Sequence, residues 1–175
     1  MRLLANVSEI INPRQSILVT CRGNADGVLV RHKKSDSILD NIITVDWHTP
    51  LSFNPAMYGI VIGKTRFSYR LISESGVFAV NFMPFSHKDA VLFCGRTSGI
   101  KTDKFAESGL TKTECAKIDC PRIKEASAYL ECEVVNQIET GDHVMFIGRV
   151  LNAELLHYEK RIFHTGNDDF TTTQD

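Results

Sequence analysis

The strongest constraint on the fold is an alternation of apolar and polar residues between positions 130 and 138. Successive side chains of a β-strand point to opposite faces, so a period of two predicts a strand with one buried face. The turn sequence Glu139–Asp142 follows, and then a second long strand, His143–Leu156, in which Gly148 marks a bulge or a close approach of the backbone. The two strands predict a hairpin that would close a barrel. One face is predicted to carry Leu130, Cys132, Val134 and Ile138, and the other Glu131, Glu133 and Gln137.

Shorter segments rich in β-branched and aromatic residues predict further strands separated by turn residues. These strands are Gln15–Arg22, Val28–Val30, Asn41–Thr49, Met57–Ile62, Val77–Met83, Thr111–Ile118 and Arg161–His164. Helix start and stop signals predict brief helices capped by Thr65 and Ser86, the first ended by Gly76, a short helix over Asp103–Ser108 stopped by Gly109, and a helical turn at Ile123–Ala126. We expect residues 167–172 to be mobile or draped over the surface. The pattern predicts a mainly β barrel with a few short helices.

Length and charge narrow the class of protein. A chain of 175 residues favours a single domain spanning residues 1–175. The net charge is −1 and basic residues form no long run, so the electrostatic footprint of a nucleic-acid-binding or membrane-surface protein is missing. We identify neither an apolar run long enough to span a membrane nor a signal peptide. We therefore expect a cytoplasmic protein with no membrane or nucleic-acid partner.

The cysteines and histidines show no metal-binding spacing. The five cysteines are an odd number without a C-x-x-C pair, which argues against a disulfide framework and against a zinc or iron–sulfur site. The six histidines contain no i, i+4 pair. We expect buried, reduced thiols and no metal centre.

An anion site is suggested by the turn Gly63–Ser68, which leads into the first predicted helix. Lys64, Arg66 and Ser68 cluster around a helix start at which Thr65 is a plausible N-cap. Free N–H groups and the positive end of the helix dipole favour an anion there, and cationic and hydroxyl side chains suit a phosphate. The alternative is an ordinary capped helix with two solvated cations.

The segment N-I-I-T-V-D-W-H-T-P-L-S-F-N-P, followed by G-K-T-R-F-S-Y-R-L-I-S-E-S-G-V-F-A-V-N-F, resembles the flavin reductase-like family, and more narrowly its flavoredoxin branch. The string F-C-G-R-T-S-G and the element E-T-G-D-H-V-M-F-I-G-R-V add to this resemblance, which runs roughly from Pro13 to Phe170. It implies an FMN-binding split β-barrel of Greek-key type that forms a homodimer. Two positions depart from the family pattern: Asp46 stands where Ser is usual, and Ala56 where Pro is usual.

The resemblance also implies a set of flavin contacts. The FMN phosphate would be held by Lys64, Arg66 and Ser68 with the backbone near Gly63 and Thr65, and the ribityl chain and ring would lie along Thr44, Val45, Asp46, Trp47 and His48. Asn81, Ser98 and Lys104 are second-rank contacts. His143, in the Gly-Asp-His element, would orient a nicotinamide donor. Turn chemistry explains Gly141 and Asp142 equally well, and a hydrogen bond to neighbouring backbone is an equally good explanation of Asn81.

Three functions remain open on these grounds. The first is an FMN-dependent oxidoreductase that takes electrons from NADH or NADPH and passes them to flavin or another acceptor. The second is a flavoredoxin-like electron carrier between redox protein partners, for which the basic insertion Val28–Leu39 would be either a docking surface or simply a solvated face. The third is a ligand-binding barrel without redox activity.

Overall fold

The computed structural model describes residues 10–24 and 38–173. The predicted strand Val28–Val30 and most of the basic insertion lie outside these ranges. The described strands are β1 (Arg14–Gln15), β2 (Ile17–Asn24), β3 (Ile38–Val45), β4 (His48–Phe53), β5 (Ala56–Gly63), β6 (Val77–Phe82), β7 (Lys112–Glu114), β8 (Pro121–Ile123), β9 (Ala128–Thr140), β10 (His143–Leu155), β11 (Phe163–Gly166) and β12 (Asp169–Thr171). The helices are α1 (Phe67–Ser75), α2 (Lys88–Arg96) and α3 (Lys104–Ser108), and a 3-10 turn covers Phe85–His87. The mainly β architecture with a few short helices is confirmed.

A seven-stranded sheet in the order β3-β2-β6-β9-β10-β5-β4 organises the chain, and each neighbouring pair in it is antiparallel. A three-stranded sheet, β1-β11-β12, and the β7–β8 hairpin complete the strands. Strands β3 and β4, at the two ends of the large sheet, are joined by only two residues, and Val61 N–H donates to the carbonyl of Trp47 in that link. The link therefore brings the two ends of the sheet together.

The predicted β9–β10 hairpin is confirmed, and so is its bulge. The register shifts between Ile147 and Gly148. A Cβ at Gly148 would lie 2.7 Å from the Phe78 ring and 2.8 Å from the Cβ of Cys132, so this position needs glycine. The predicted polar face is wrong at Glu131, which is fully buried because its carboxylate accepts backbone N–H groups from the turn after β7.

Two strand predictions need correction. The strand predicted over Asn41–Thr49 is interrupted: β3 ends at Val45, β4 begins at His48, and the Asp46 carboxylate between them is bonded by Ser16 and His164. The strand predicted over Thr111–Ile118 is shorter, because only Lys112–Glu114 pairs with β8. The turn predicted at Ile123–Ala126 is present, with Ala126 N–H donating to the carbonyl of Ile123. Residues 167–172, expected to be mobile or draped over the surface, belong to the β11–β12 hairpin, which is largely exposed and packs Phe170 against the core.

Two apolar clusters fill the interior. The larger lies between the sheet and α1 and includes Ile17, Leu71, Phe78 and Phe146, all fully buried. The smaller lies beneath α2 and α3 and is closed by Phe170 from the C-terminal hairpin. In residues 10–24 and 38–173, no helix is long and apolar enough to cross a membrane.

Candidate functional site

A polar cavity, partly open to solvent, lies at the N-terminus of α1. We call it the cradle. Strand β3 contributes one wall, the start of α1 a second, and the segment from the end of α2 to α3 a third. Its lining residues are Asn41, Ile43, Thr44, Thr65, Arg66, Phe67, Ser68, Cys94, Gly95, Thr97, Ser98, Gly99 and Lys104.

The start of α1 presents its unpaired backbone donors to the cradle. Arg66 rather than the predicted Thr65 is the N-cap, and no side chain caps this end. The first turn holds no acidic residue. The first N–H groups of a helix lack intrahelical partners and carry the positive end of the helix dipole. The cradle wall formed by Arg66, Phe67 and Ser68 is therefore electropositive.

Lys104 supplies a buried cation to the opposite wall. Its side-chain nitrogen donates to the carbonyls of Ile42 and Cys94, each at 2.7 Å, and the residue is only 5% exposed. Burial lowers the pKa of Lys104 to about 8. Among the described residues no carboxylate pairs with it, and an ammonium has a third donor beyond the two used here. A buried cation of this kind is stabilised by an anion.

Asn41 adds a buried polar group whose hydrogen bonding is incomplete. Its amide nitrogen donates to the hydroxyl of Ser68 at 2.8 Å, and its carbonyl oxygen has no partner in the described part of the chain. A Cβ at Gly99 would lie 2.2 Å from that oxygen, so the loop after α2 can approach only with glycine there. A buried acceptor without a donor costs free energy, which a ligand hydroxyl would recover.

The structure brings six of the predicted site residues together in the cradle: Thr44, Thr65, Arg66, Ser68, Ser98 and Lys104. It does not bring Lys64 there, because its ammonium lies 2.8 Å from a carboxylate oxygen of Glu139, at the hairpin tip. Asn81 is fully buried and its amide is bonded on both sides, to the Leu18 carbonyl, the Thr20 hydroxyl and the Ile123 N–H. These partners account for both sides of the Asn81 amide, and Asn81 is not among the residues that line the cradle.

The Val45 side chain belongs to the apolar core. Seven residues of the cradle lining are not among the predicted contacts: Asn41, Ile43, Phe67, Cys94, Gly95, Thr97 and Gly99. Four of them lie in the string F-C-G-R-T-S-G that supports the family resemblance, and Asn41 is a polar residue at the start of an otherwise apolar strand.

A second cavity adjoins the cradle and shares Thr44 and Gly95 with it. Asp46 lies on its wall and accepts from the hydroxyl of Ser16, and His164 Nδ1 is 2.9 Å from the other carboxylate oxygen. His164 Nε2 lies 3.0 Å from the carbonyl of Asn167. Both ring nitrogens of His164 therefore face oxygen acceptors, and the Asp46 carboxylate lies between the Ser16 hydroxyl and the His164 ring.

The remaining predicted residues lie at the hairpin tip and beside β5. Trp47, 40% exposed, packs against the ring of His143 with centroids 4.8 Å apart, and Gly63 lies next to the same histidine. His143 Nδ1 is 2.7 Å from a carboxylate oxygen of Asp142.

His48 is held away from the cradle by two hydrogen bonds. Its Nε2 donates to the carbonyl of Gln15 at 2.8 Å, so its Nδ1 accepts from the hydroxyl of Tyr58 at 2.6 Å. Burial lowers the pKa of His48 and raises that of Tyr58. The pair is therefore neutral near pH 7, with the His48 tautomer fixed.

Comparison with known proteins gives a consistent picture. A sequence model described as flavin reductase like domain matches residues 12–169. An uncharacterised protein of Archaeoglobus fulgidus is 42% identical over 113 residues, which are 65% of this chain and 64% of that protein. This chain spans less than two thirds of the length of three archaeal relatives, namely 64%, 63% and 39% of them.

Solved structures with the same fold cover nearly the whole chain. The FMN-binding protein from Thermus thermophilus has a TM-score of 0.80 at 22% identity, covering 98% of this chain and 92% of that one. Flavoredoxin of Desulfovibrio vulgaris (Miyazaki F) has a TM-score of 0.80 at 19% identity, covering 100% and 94%. The NADH:FAD oxidoreductase SgcE6 of Streptomyces globisporus C-1027 has a TM-score of 0.78 at 20% identity, covering 97% and 92%. The predicted split-barrel fold is thereby confirmed.

Proposed function

Because the chain belongs to the flavin reductase-like family, we propose that it binds FMN and passes electrons from NADH or NADPH, through the bound flavin, to free flavin or another acceptor. The observation that carries this proposal is the cradle. It combines a helix N-terminus, the Arg66 side chain and the buried Lys104 cation, with no acidic lining residue.

The cradle suits the phosphate group of FMN. A phosphate carries close to two negative charges at neutral pH and three acceptor oxygens. Backbone donors at the start of α1, the Arg66 guanidinium and the hydroxyls of Ser68 and Ser98 can each donate to those oxygens. Lys104 would stay charged beside the bound anion, because an opposite charge favours the protonated form.

The ribityl chain of FMN matches the next part of the lining. Its hydroxyls are donors, and Asn41 offers a buried carbonyl oxygen that has no other donor in the described residues. Thr44 leads from the cradle into the second cavity. That cavity, with Val91 and Phe170 on its apolar side and Asp46 on its polar side, is where we propose that the flavin ring lies.

The donor side of the reaction is assigned to the hairpin tip. Bound FMN would supply the redox chemistry, by accepting a hydride from the nicotinamide and releasing the electrons to an acceptor. The chain itself would position the two molecules. The exposed ring of Trp47 packs against His143. Because Asp142 engages His143 Nδ1, the other ring nitrogen, Nε2, remains to orient the nicotinamide.

Absorbance spectroscopy and anaerobic titration test this proposal. The purified chain, loaded with FMN, should show a flavin spectrum and should be bleached by NADH or NADPH. Arg66→Ala should weaken FMN binding by roughly ten- to hundredfold, the value of one or two charge-assisted hydrogen bonds. Lys64→Ala is the matched control, since Lys64 pairs with Glu139 outside the cradle, and its FMN affinity should match that of the unaltered chain.

A flavoredoxin-like carrier is the alternative, because flavoredoxin of Desulfovibrio vulgaris matches the full length of this chain. It predicts that the FMN-loaded protein is inert toward both nicotinamides and is reduced by a ferredoxin-type protein. A chain that fails to bind FMN at all would sink both versions and support a ligand-binding barrel without redox activity.

A further inference from the structure

The hairpin β7–β8 carries two cysteines that the proposed electron transfer does not use. Strand register pairs Lys112 with Ile123, Thr113 with Arg122, and Glu114 with Pro121. The next pair in this register is Cys115 with Cys120, and Cys115 N–H donates to the Cys120 carbonyl at 3.0 Å. Directly opposed residues of antiparallel strands have Cα atoms about 4.5–5.5 Å apart. That distance lies inside the range a disulfide requires, about 4.4–6.8 Å.

The register also brings the two side chains to the same side of the hairpin. Directly opposed residues of an antiparallel pair point to one face, so the Cys115 and Cys120 side chains are neighbours there. Cys120 is fully buried, and its thiol lies 3.3 Å from the carbonyl oxygen of Thr20 on β2, whereas Cys115 is only partly buried. Cys115 is thus the more accessible of the two residues to a small reagent, and Cys120 is enclosed by the fold.

Two anchors hold this arrangement in place. The carboxylate of Glu131 accepts the N–H groups of Ala116 and Lys117, the two residues after Cys115. On the other side, Asp119 pairs with Arg22 at 2.6 Å. The loop between the cysteines is therefore fixed at both ends, which keeps the thiols opposed and gives a high effective concentration of one for the other.

We propose that Cys115 and Cys120 form a reversible dithiol–disulfide site that exchanges with low-molecular-weight disulfides. The Cys115 thiolate attacks one sulfur of the small disulfide, which forms a mixed disulfide and releases one small thiol. The Cys120 thiol then loses its proton and attacks the Cys115 sulfur, expelling the second small thiol. Two electrons pass from the protein dithiol to the small disulfide, which is reduced to two thiols. This site does not depend on FMN binding.

Burial of Cys120 favours the dithiol and the disulfide over the charged Cys120 thiolate that forms between them. Burial, reinforced by the adjacent Cys115 thiol, raises the pKa of Cys120 well above its usual range. The dithiol and the disulfide are both uncharged, so neither places an ion among the buried groups around Thr20. Cys115 is therefore the attacking residue and Cys120 the resolving one.

Peptide mapping after oxidation tests the site. The reduced full-length chain is incubated with oxidised glutathione, blocked with iodoacetamide and digested with trypsin, which cuts after Lys117 and so separates the two cysteines. Peptide 113–117 should be found linked to peptide 118–122, and the thiols titrated after denaturation should fall from five to three. Buried Cys21, Cys94 and Cys132 should all stay reduced and be recovered in alkylated form once the chain is denatured in the presence of iodoacetamide.

Single variants separate the two steps. Cys120→Ser should stop at a stable glutathione adduct on Cys115, and Cys115→Ser should take up no glutathione at all. Cys94→Ser, a buried cysteine outside the hairpin, should form the same link as the unaltered chain. A glutathione adduct that persists on Cys115 of the unaltered chain, a link from Cys115 to Cys132, or no reaction at either residue would overturn the proposal.

Discussion

At the scale of single residues, the cradle depends on two buried polar side chains that local sequence patterns describe poorly. Lys104 follows a helix-start signal and looks like a solvated cation, yet it is buried because it reaches the carbonyl of Ile42, 62 positions earlier. Asn41 likewise bonds Ser68, 27 positions later. Arg66 and Ser68, by contrast, could be predicted because they lie at the start of the helix that they serve. Contacts distant in sequence explain what the pattern missed.

Lys104 makes FMN affinity depend on pH. Its pKa in the free protein is about 8, against 10.5 ordinarily, and a bound phosphate raises it again. Affinity should therefore be flat just below pH 8 and fall above it, by up to about tenfold per pH unit. The free energy of unfolding of the FMN-free chain should instead rise between about pH 8 and 10.5. Over that range Lys104 holds its proton in the unfolded chain and has lost it in the folded one.

Fluorescence titration of the unaltered chain with FMN between about pH 6.5 and 9.5 measures this affinity. Lys104→Arg is the control, because a guanidinium stays charged over that range. An equal decline in the arginine variant would assign the titration to another group.

Asp46 should contribute to stability through His164, because the carboxylate accepts from His164 Nδ1 and from the hydroxyl of Ser16. Asp46→Ser should lower the free energy of unfolding by roughly 1–3 kcal/mol, the value of hydrogen bonds to a charged group. Chemical denaturation measures this loss. In a double-mutant cycle with His164→Gln, the two losses should be non-additive by about 1 kcal/mol, and additive losses would show that the two residues act separately.

At the scale of secondary-structure elements, the sequence predicts best where periodicity continues longest. The β9–β10 hairpin and its bulge at Gly148 follow from the alternation and from one glycine. The break between β3 and β4 does not, because every residue there is compatible with a continuous strand. It arises from the contacts of Asp46 with Ser16 and His164, residues 30 and 118 positions away in the chain. Short strands such as β7 and β8 are likewise defined by each other rather than by their composition.

Gly148 gives the hairpin a sharp test. An alanine Cβ would approach the Phe78 ring and the Cβ of Cys132 within 3.0 Å, and both neighbours are fully buried. Gly148→Ala should therefore destabilise the fold by roughly 1–3 kcal/mol, as overpacking of a core does. Thermal unfolding measures the loss. Phe78→Leu in the same chain should recover part of it by making room, and a double variant that loses the sum of both single effects would contradict the steric explanation.

At the scale of the whole molecule, the barrel leaves a substantial apolar surface exposed. Large apolar side chains are exposed on β4, β9 and β10: Leu51, Phe53, Val135, Ile138, Leu151 and Leu155. Phe53, at the end of β4, is 98% exposed. Several large apolar side chains exposed on strands of one sheet are typical of an interface. The resemblance to a family of homodimers makes a second copy of this chain the partner that we propose.

A dimer formed through this surface should be separable from the fold of the single chain. Phe53→Asp places a charge at a fully exposed position, so it should leave thermal unfolding of the monomer intact while raising the dimer dissociation constant at least tenfold, since a buried unpaired charge is costly at an interface. Light scattering coupled to gel filtration over a dilution series measures the mass. Glu107→Gln on α3, which packs beside β3 at the opposite end of the strand order from β4, is the control. If FMN affinity falls together with the mass in the Phe53 variant, the second copy completes the flavin site. If the unaltered chain is monomeric throughout the series, the apolar strands serve some other contact.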